Sequence, residues 1–419
     1  MRIQIRNGRV VDAATGRDGV GDVYVADGRI AEEFSRPERV IDARGLVVAP
    51  GFIDLAARLR EPGLEYRATL QSELDAALAG GVTSVACPPD TDPPLDEPGL
   101  VDMLRRRAKA LSRARVYPVG ALTLKLHGAA LTEMGQLTDA GCVAFSQGSA
   151  AIPDTQVLWR ALQYAATFGF KVWLRAEDPD LAKDGVAHDG EMATRLGLPG
   201  IPAFAETIAL GTVIELVRAT GARVHVCRLS TAGAVELMRR AKAEKLPLTC
   251  DVSIHHLHLC DVDLGYFDPL CRLEPPLRSQ RDRDALARAA AEGVVDCLVS
   301  DHTPVDEDGK HLPFAEAEPG ATGLELLLPL ALKWGEAQKL PLGATLARIT
   351  SEPAKILGVD AGRLAPGAPA DLAIFDPRAP FRVSAETLKS QGKNTPFLGY
   401  ELAGRVRFTV VDGNVVYEG

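Results

Sequence analysis

The 419-residue sequence has few cysteines and no apolar run long enough to span a membrane. Its seven cysteines are an odd number and contain no C-x-x-C pair, which favours reduced thiols in a cytoplasmic protein. Residues 1–8 lack the apolar core of a signal peptide. The most apolar stretch, Leu324 to Leu332, is interrupted by Glu325 and Pro329. We therefore expect a cytoplasmic protein with no membrane partner.

Several familiar functional motifs are also missing. The sequence contains no G-x-x-x-x-G-K-[ST], G-x-G-x-x-G, G-x-S-x-G or H-E-x-x-H, so nucleotide-loop, hydrolase-elbow and zincin functions have no support. A net charge of −9 disfavours nucleic acid as the main partner. The basic run Arg105 to Lys109 is a local exception, but it lies in an amphipathic helix and is typical of a solvated helix face.

The chain is long enough for one large domain and a smaller one. Residues 1–50 and 362–419 alternate apolar and polar side chains between turn dipeptides such as Asn7-Gly8, which predicts that both chain ends pair into one small β-sandwich domain. Residues 51–361 alternate short apolar runs with helical stretches. The predicted fold class is therefore α/β, a (β/α)8 TIM-like barrel with a β-sandwich built from both ends.

Eight barrel strands are predicted from these apolar runs. They begin at Gly51 and continue at Val82–Val85, Arg115–Val119, Cys142–Phe145, Phe170–Leu174, Arg223–Cys227, Leu248–Val252 and Val295–Val299. Any chemistry in such a barrel is expected at the C-terminal ends of the strands.

The most informative sequence motif lies in and after the first of these strands. It reads Gly51-Phe52-Ile53-Asp54, followed by Leu59-Arg60-Glu61-Pro62-Gly63. This motif resembles the corresponding motif of the cyclic amidohydrolases, and of dihydroorotases in particular. The resemblance covers nearly the whole chain. Further matching segments are Gly80–Val85, Phe145–Ser146, Glu177–Asp178, Ser230–Thr231, His255–Leu257, Pro275–Arg278, Asp301–Pro304, Gly323–Glu325 and Asn394–Gly399. The resemblance implies an amidohydrolase barrel that hydrolyses a ring amide with bound metal.

The sequence departs from that family at the positions that the resemblance assigns to metal ligands. Five of them hold other residues and only the carboxylate of Asp301 is retained; the five are Ala56, Arg58, Gln147, Arg175 and Arg228. Alanine has no donor atom, and arginine carries only N–H donors. Since a catalytic zinc site needs three protein ligands, we expect no metal and no functioning catalytic residue, with Asp301 as a remnant.

Three arginines at former ligand positions suggest two hypotheses. In the first, Arg58, Arg175 and Arg228 replace the charge of the metal and pair with Asp301 and Glu177. In the second, the same three arginines form an anion pocket for a phosphate or a dicarboxylate.

The positions that the resemblance assigns to substrate contacts are partly changed. Arg60 is retained where the family grips the substrate carboxylate. Asp90 and Glu274 stand at asparagine positions, and Val305 replaces a histidine. Because the two acids would repel a carboxylate, we expect a dihydroorotate-like anion to bind poorly.

The remaining candidate ligands are weaker. His255, His256 and His258 are close in sequence, but neighbouring residues on a strand point to opposite faces, so they do not predict a zinc site. Five cysteines lie in or beside apolar strands and are predicted to be core thiols: Cys87, Cys142, Cys227, Cys250 and Cys297.

The pattern resembles the inactive dihydroorotase-like subunits that accompany aspartate carbamoyltransferase in some bacteria. It predicts a non-catalytic structural or assembly subunit in pyrimidine biosynthesis, in a hetero-oligomer with the transcarbamoylase catalytic subunit. Two alternatives stay open. One is a working dihydroorotase or related cyclic amidohydrolase that uses Asp301 and, if metal-dependent, zinc. The other is a regulatory subunit that binds an anion at the arginines.

Overall fold

A computed structural model describes residues 2–419. The strands in chain order are β1 Arg2–Asp12, β2 Arg17–Ala26, β3 Arg29–Ala31, β4 Arg39–Asp42, β5 Val47–Pro50, β6 Phe52–Asp54, β7 Val82–Cys87, β8 Arg115–Ala121, β9 Ala144–Ser146, β10 Lys171–Arg175, β11 Ala187–His188, β12 Gly200–Ile201, β13 Arg223–Cys227, β14 Leu248–Ser253, β15 Cys297–Val299, β16 Leu372–Arg382, β17 Glu401–Val411 and β18 Asn414–Glu418. The α-helices are α1 Leu70–Ala79, α2 Pro98–Leu111, α3 Met134–Ala140, α4 Thr155–Phe168, α5 Pro179–Ala182, α6 Glu191–Leu196, α7 Ala203–Thr220, α8 Ala232–Ala243, α9 Gln280–Glu292, α10 Glu307–Lys310, α11 Leu327–Ala337, α12 Leu342–Ala347 and α13 Ser351–Leu357.

The middle of the chain forms a nearly closed parallel barrel. Its strands are ordered β15-β14-β13-β10-β9-β8-β7-β6, and helices follow the strands on the outside. All eight predicted barrel strands are present, so the predicted barrel is confirmed. Strand β9 begins at Ala144 rather than Cys142, because Gly141 at φ 112° ends α3 and the Cys142 N–H still donates to the Leu137 carbonyl of that helix. The last strand likewise begins at Cys297 rather than Val295.

Side chains at the strand ends help to close the barrel between β6 and β15. The carboxylate of Asp54 accepts hydrogen bonds from the backbone N–H of Ser300 at 3.0 Å and from the Ser300 hydroxyl. Beyond the strands, the Arg58 N–H donates to the His302 carbonyl at 2.9 Å and the His302 N–H to the Ala56 carbonyl at 3.0 Å. These bonds hold Ala56, Arg58 and Asp301 at one side of the mouth.

The two chain ends build a second, strand-rich sheet. Its order is β18-β17-β16-β5-β1-β2-β3, with β4 pairing in parallel with β1. Strand β5 joins the ends, since it pairs with β1 on one side and with β16 on the other. Fully buried side chains such as Ile3, Ile5 and Ile374 form the core of this sheet. The structure thus confirms the predicted strand-rich unit, while the boundaries at residues 50 and 362 stay a prediction.

Within residues 2–419, every helix is too short or too polar to cross a bilayer.

A buried carboxylate ties the C-terminal segment to the barrel. Glu73 on α1 accepts hydrogen bonds from His302 Nε2 at 2.6 Å, from the Ser390 hydroxyl at 2.6 Å and from the Gln391 N–H at 3.0 Å. Burial opposes ionisation of Glu73, but the bonds from His302 and Ser390 outweigh it and hold the pKa of Glu73 below its usual range. Residues 390–391 are thereby fixed beside the barrel mouth.

We expect Glu73→Gln to lower the free energy of unfolding by about 3 kcal/mol, because an amide would point a donor at the groups that now donate to Glu73. The matched control is Asp75→Asn on the same helix. Asp75 pairs with Arg113 at 2.6 Å, and both side chains are more than one-third exposed. The control should cost less than about 1 kcal/mol in a urea-unfolding series. Equal losses in the two variants would contradict the role given to Glu73.

Candidate functional site at the barrel mouth

The predicted ligand positions all lie at the C-terminal ends of the barrel strands. Ala56 and Arg58 follow β6, Gln147 follows β9, Arg175 ends β10, Arg228 follows β13 and Asp301 follows β15. Residues from five strands therefore reach one mouth, as in enzymes built on this fold.

Asp301 lies between two of the three arginines. Its Oδ1 atom is 3.2 Å from Arg228 Nη1 and 3.6 Å from Arg58 Nη1. All three side chains are at most 8% exposed. Burial raises the pKa of Asp301 to about 6, while the charges of Arg228 and Arg58 limit the rise.

Arg58 has a second and closer carboxylate partner in Asp90. Arg58 Nε donates to Asp90 Oδ2 at 2.7 Å, and Arg58 Nη1 donates to the Thr303 hydroxyl at 2.9 Å. Burial raises the pKa of Asp90, but the charge and hydrogen bond of Arg58, together with the charges of Arg60 and Arg228, outweigh burial and hold this pKa below its usual range. From the sequence alone, Asp90 is interpreted as a lost substrate contact. In the structure, Asp90 neutralises the charge of Arg58, one of the arginines at the predicted ligand positions.

Arg175 does not join Asp301. Its Nη2 atom lies 2.8 Å from Glu177 Oε1 and 2.7 Å from Glu274 Oε1. Glu274 is therefore the partner of Arg175 in the same way that Asp90 is the partner of Arg58. Each of the three arginines has at least one carboxylate within 3.2 Å.

One residue that links the three arginines has no signal in the sequence. The Ser149 hydroxyl accepts from Arg58 Nη2 at 3.1 Å and from Arg228 Nη2 at 3.4 Å, and the Ser149 carbonyl accepts from Arg175 Nη2 at 3.2 Å. Ser149 lies in the loop after β9, just beyond Gly148 with φ 63°. A serine in a loop is too common to single out from spacing alone.

Two of the former ligand positions stay outside this network. Gln147 accepts from the Thr123 hydroxyl at 2.9 Å and donates to the Leu126 carbonyl at 2.8 Å, so its amide supports a neighbouring loop. Ala56 belongs to the apolar cluster inside the barrel. Neither residue faces the arginines with a charge.

Arg60 differs from the other arginines of the mouth. Its Nε donates to the Pro304 carbonyl at 2.8 Å, and no carboxylate of residues 2–419 forms an ion pair with it. Burial, followed by the nearby charge of Arg58, lowers the pKa of Arg60 to about 10. Arg60 therefore keeps its positive charge at neutral pH, and its two Nη groups form no hydrogen bond within residues 2–419.

The mouth encloses a cavity of about 190 Å³ with balanced charges. The charged residues that line it are four arginines and four acids: Arg58, Arg60, Arg67, Arg228, Asp90, Glu274, Asp301 and Glu318. Arg67 pairs with Glu318 at 2.5 Å. Such a lining offers neither the surplus of carboxylates that a divalent cation needs nor the surplus of cations that a polyanion needs.

The donor chemistry of the mouth does not fit the metal centre that this type of barrel implies. A guanidinium group has no lone pair to give, and an arginine about 4 Å from a divalent ion would repel it by several kcal/mol at an effective dielectric near 20. Asp301, the retained carboxylate, already contacts two arginines.

A second group of donor atoms lies deeper in the barrel. The side chains of His225, Cys227 and Asp251 have ligand atoms within 4.8 Å of one another. His225 Nδ1 lies 2.8 Å from the Thr249 hydroxyl and Nε2 lies 2.8 Å from Asp251 Oδ2, while Asp251 Oδ1 accepts from the Arg228 N–H at 2.7 Å. These bonds use both ring nitrogens and both carboxylate oxygens, and they fix the backbone of Arg228.

The other candidate ligands are separated in the structure. His256 Nε2 faces the Pro276 carbonyl at 3.2 Å, and His258 Nε2 faces the Leu330 carbonyl at 2.9 Å. His255 stacks on Phe397. The seven cysteines are free thiols, and all but the half-buried Cys227 are buried. Burial raises the pKa of Cys227 well above its usual range, so it is a poor nucleophile.

Comparison with solved structures finds this architecture in hydantoinases and dihydropyrimidinases, which have the amidohydrolase fold. The L-hydantoinase from Arthrobacter aurescens superposes with a TM-score of 0.87 at 26% identity, covering 99% of this chain and 96% of that one. A dihydropyrimidinase from Brevibacillus agri, at 22% identity, has the same fold with a TM-score of 0.83 over 100% of this chain and 95% of its own.

Sequence comparison identifies the family within the amidohydrolase superfamily. Residues 45–234 match the family model described as dihydro-orotase-like. A "dihydroorotase-like protein" from Pseudomonas aeruginosa is 45% identical over the full length of both chains, and a "dihydroorotase" from Geobacter sp. is 40% identical over the full length of both chains. The chain belongs to the dihydroorotase-like family of the amidohydrolase superfamily.

The raised pKa of Asp301 predicts an unusual pH dependence. Between an ordinary aspartate pKa near 4 and about 6, the folded state holds a proton that the unfolded state has released, so the contribution of Asp301 to stability decreases as pH rises through this window. Asp301→Asn removes that contribution. We expect the stability of the wild type relative to the variant to be lower at pH 7.5 than at pH 4.5, measured by urea unfolding. A difference that is independent of pH would contradict the assignment.

Proposed function

We propose that this protein is a non-catalytic member of the dihydroorotase-like family and serves as an assembly subunit for aspartate carbamoyltransferase in pyrimidine biosynthesis. The observation that carries the proposal is the ion-pair network of the mouth, in which Arg58, Arg175 and Arg228 contact carboxylates at positions where the family binds metal. The network uses the retained Asp301 as a structural counter-ion.

The chemistry of ring-amide hydrolysis supports a non-catalytic role. A metal would supply an activated water by lowering its pKa, but the carboxylates that line this mouth are already paired with arginines. Asp301 would then have to act as a general base on bulk water. Its Oδ1 atom is instead 3.2 Å from a guanidinium group, so the carboxylate is held in an ion pair.

The identity of the partner comes from the resemblance to inactive dihydroorotase-like subunits that accompany the transcarbamoylase in some bacteria. A barrel can lose its catalytic site and still present a rigid outer surface, since the strands, the helices and the joined chain ends are intact here. We propose a cytoplasmic hetero-oligomer with the transcarbamoylase catalytic subunit, with no metal and no nucleic acid in it.

The enzyme alternative is a working cyclic amidohydrolase, and its support is that relatives named dihydroorotase are 40% identical over the whole chain. The anion-binding alternative has less support from the geometry. The three arginines that it needs each contact a carboxylate within 3.2 Å, and an incoming anion would have to compete with these acids.

The partner proposal predicts a physical complex. Co-expression of a tagged form of this protein with the transcarbamoylase catalytic subunit of the same organism should yield one species that contains both chains, measured by size-exclusion chromatography with light scattering. Deletion of the gene for this protein should reduce transcarbamoylase assembly and activity. If the transcarbamoylase assembles and works equally well in the deletion strain, the proposed function is wrong.

A second prediction concerns catalysis. Purified protein incubated with Zn²⁺ or Mn²⁺ should retain well below one metal ion per chain after desalting, and it should open the ring of dihydroorotate no faster than buffer does. The control is an active metal-dependent dihydroorotase carried through the same desalting and assay. Stoichiometric metal together with turnover that is lost in Asp301→Asn would establish the enzyme alternative.

A further inference from the structure

A large groove lies at the opposite end of the barrel from the mouth. It has a volume of about 730 Å³ and runs between helix α2 and the turn from β17 to β18. Arg115 and Tyr117, at the beginning of β8, also line it. The groove is therefore remote from the ion-pair network at the strands' C-terminal ends.

The rim of the groove is formed by the basic run of α2. Arg105, Arg106 and Lys109 are exposed, and none of them forms an ion pair with an acid in the part of the chain that the structure describes. Arg107 belongs to the same run but turns away from the groove and pairs with Glu61. The rim therefore gathers unpaired positive charge on a chain whose net charge is −9.

Two further cations of the groove are already neutralised. Arg113 pairs with Asp75 at 2.6 Å, and Arg115 pairs with Asp371 at 3.0 Å and with Asp412. Asp102 is the one acid of the lining without an ion pair within residues 2–419. The excess positive charge is therefore confined to about one and a half turns of α2. It makes one side of the groove positively charged.

The floor of the groove is apolar. Val116, Tyr117 and Val416 are half-buried there, and Ala108 and Ala114 complete it. Half-buried apolar side chains gain stability when a partner removes them from water, by roughly 25 cal/mol for each Å² covered. A ligand that fits both parts of the groove must combine negative groups with apolar ones.

We propose that this groove is a docking site for an acidic, partly apolar segment of the protein partner, with carboxylates on the α2 rim and apolar side chains on the floor. The inference rests on the proposed function, because it gives the assembly subunit a contact surface. A nucleic acid fits less well. Three unpaired cations would neutralise few phosphates, and Tyr117 is the one aromatic ring of the lining on which a base could stack.

The test compares two charge reversals of equal size. Arg106→Glu with Lys109→Glu changes the rim, and Arg281→Glu with Arg288→Glu changes exposed arginines of α9 that form no ion pair in the chain as described. Each pair shifts the net charge by the same amount. Thermal unfolding should show both variants folded like the wild type, since all four side chains are exposed.

The measurement is the affinity of each full-length variant for the transcarbamoylase catalytic subunit at low salt. We expect the rim variant to bind about tenfold or more weakly than the wild type, the α9 variant to bind like the wild type, and the difference to shrink at high salt. Equal affinity of the rim variant and the wild type, or equal weakening in both variants, would overturn the docking site but leave the proposed function intact. Absence of any wild-type complex would overturn both.

Discussion

The neutralisation of buried guanidinium groups is the constraint on which the barrel mouth depends. Arginine at a former ligand position is tolerable only if an acid lies beside it, because an unpaired buried charge costs several kcal/mol. Arg58 has Asp90, Arg175 has Glu274 and Glu177, and Arg228 has Asp301. The substitutions at Asp90 and Glu274 therefore make physical sense only together with the arginines, as two halves of the same ion pairs.

The paired network also links the strand ends at which the family resemblance places metal ligands. In a metal-dependent amidohydrolase the cation draws ligands from several strands to one point. Here Ser149 contacts all three arginines, which come from the ends of β6, β10 and β13, and the network reaches Asp301 after β15. These strand ends share ion pairs and hydrogen bonds at the mouth.

The fold was largely predictable from the sequence, because apolar runs separated by helical stretches specify a parallel barrel and turn dipeptides mark the strands of the chain ends. Strand limits were less predictable, as at Gly141, where local turn geometry delays β9. The prediction that Asp301 and Glu177 have arginine partners agrees with the geometry, and it followed from the family resemblance, which places the arginines at ligand positions, together with charge balance.

The partners of individual arginines were not predictable. Asp90 and Glu274 were interpreted as lost contacts to a substrate anion, since sequence gives the position of a charge but not its distance from another charge. The role of Ser149 depends on the path of one loop, which no periodicity encodes. The same limit applies to the groove, where the basic run of α2 and the apolar floor come from distant parts of the chain.

The pairing of β5 with both β1 and β16 has a consequence for biosynthesis. Strand β5 leaves the ribosome early, but its second neighbour begins only at Leu372, more than three hundred residues later. Through most of translation the N-terminal strands carry an unsatisfied backbone edge, which is the kind of surface that pairs wrongly with other chains. The sheet can therefore be completed only after the C-terminal strands have left the ribosome. Until then, molecular chaperones that bind the nascent chain would protect the exposed strand edge.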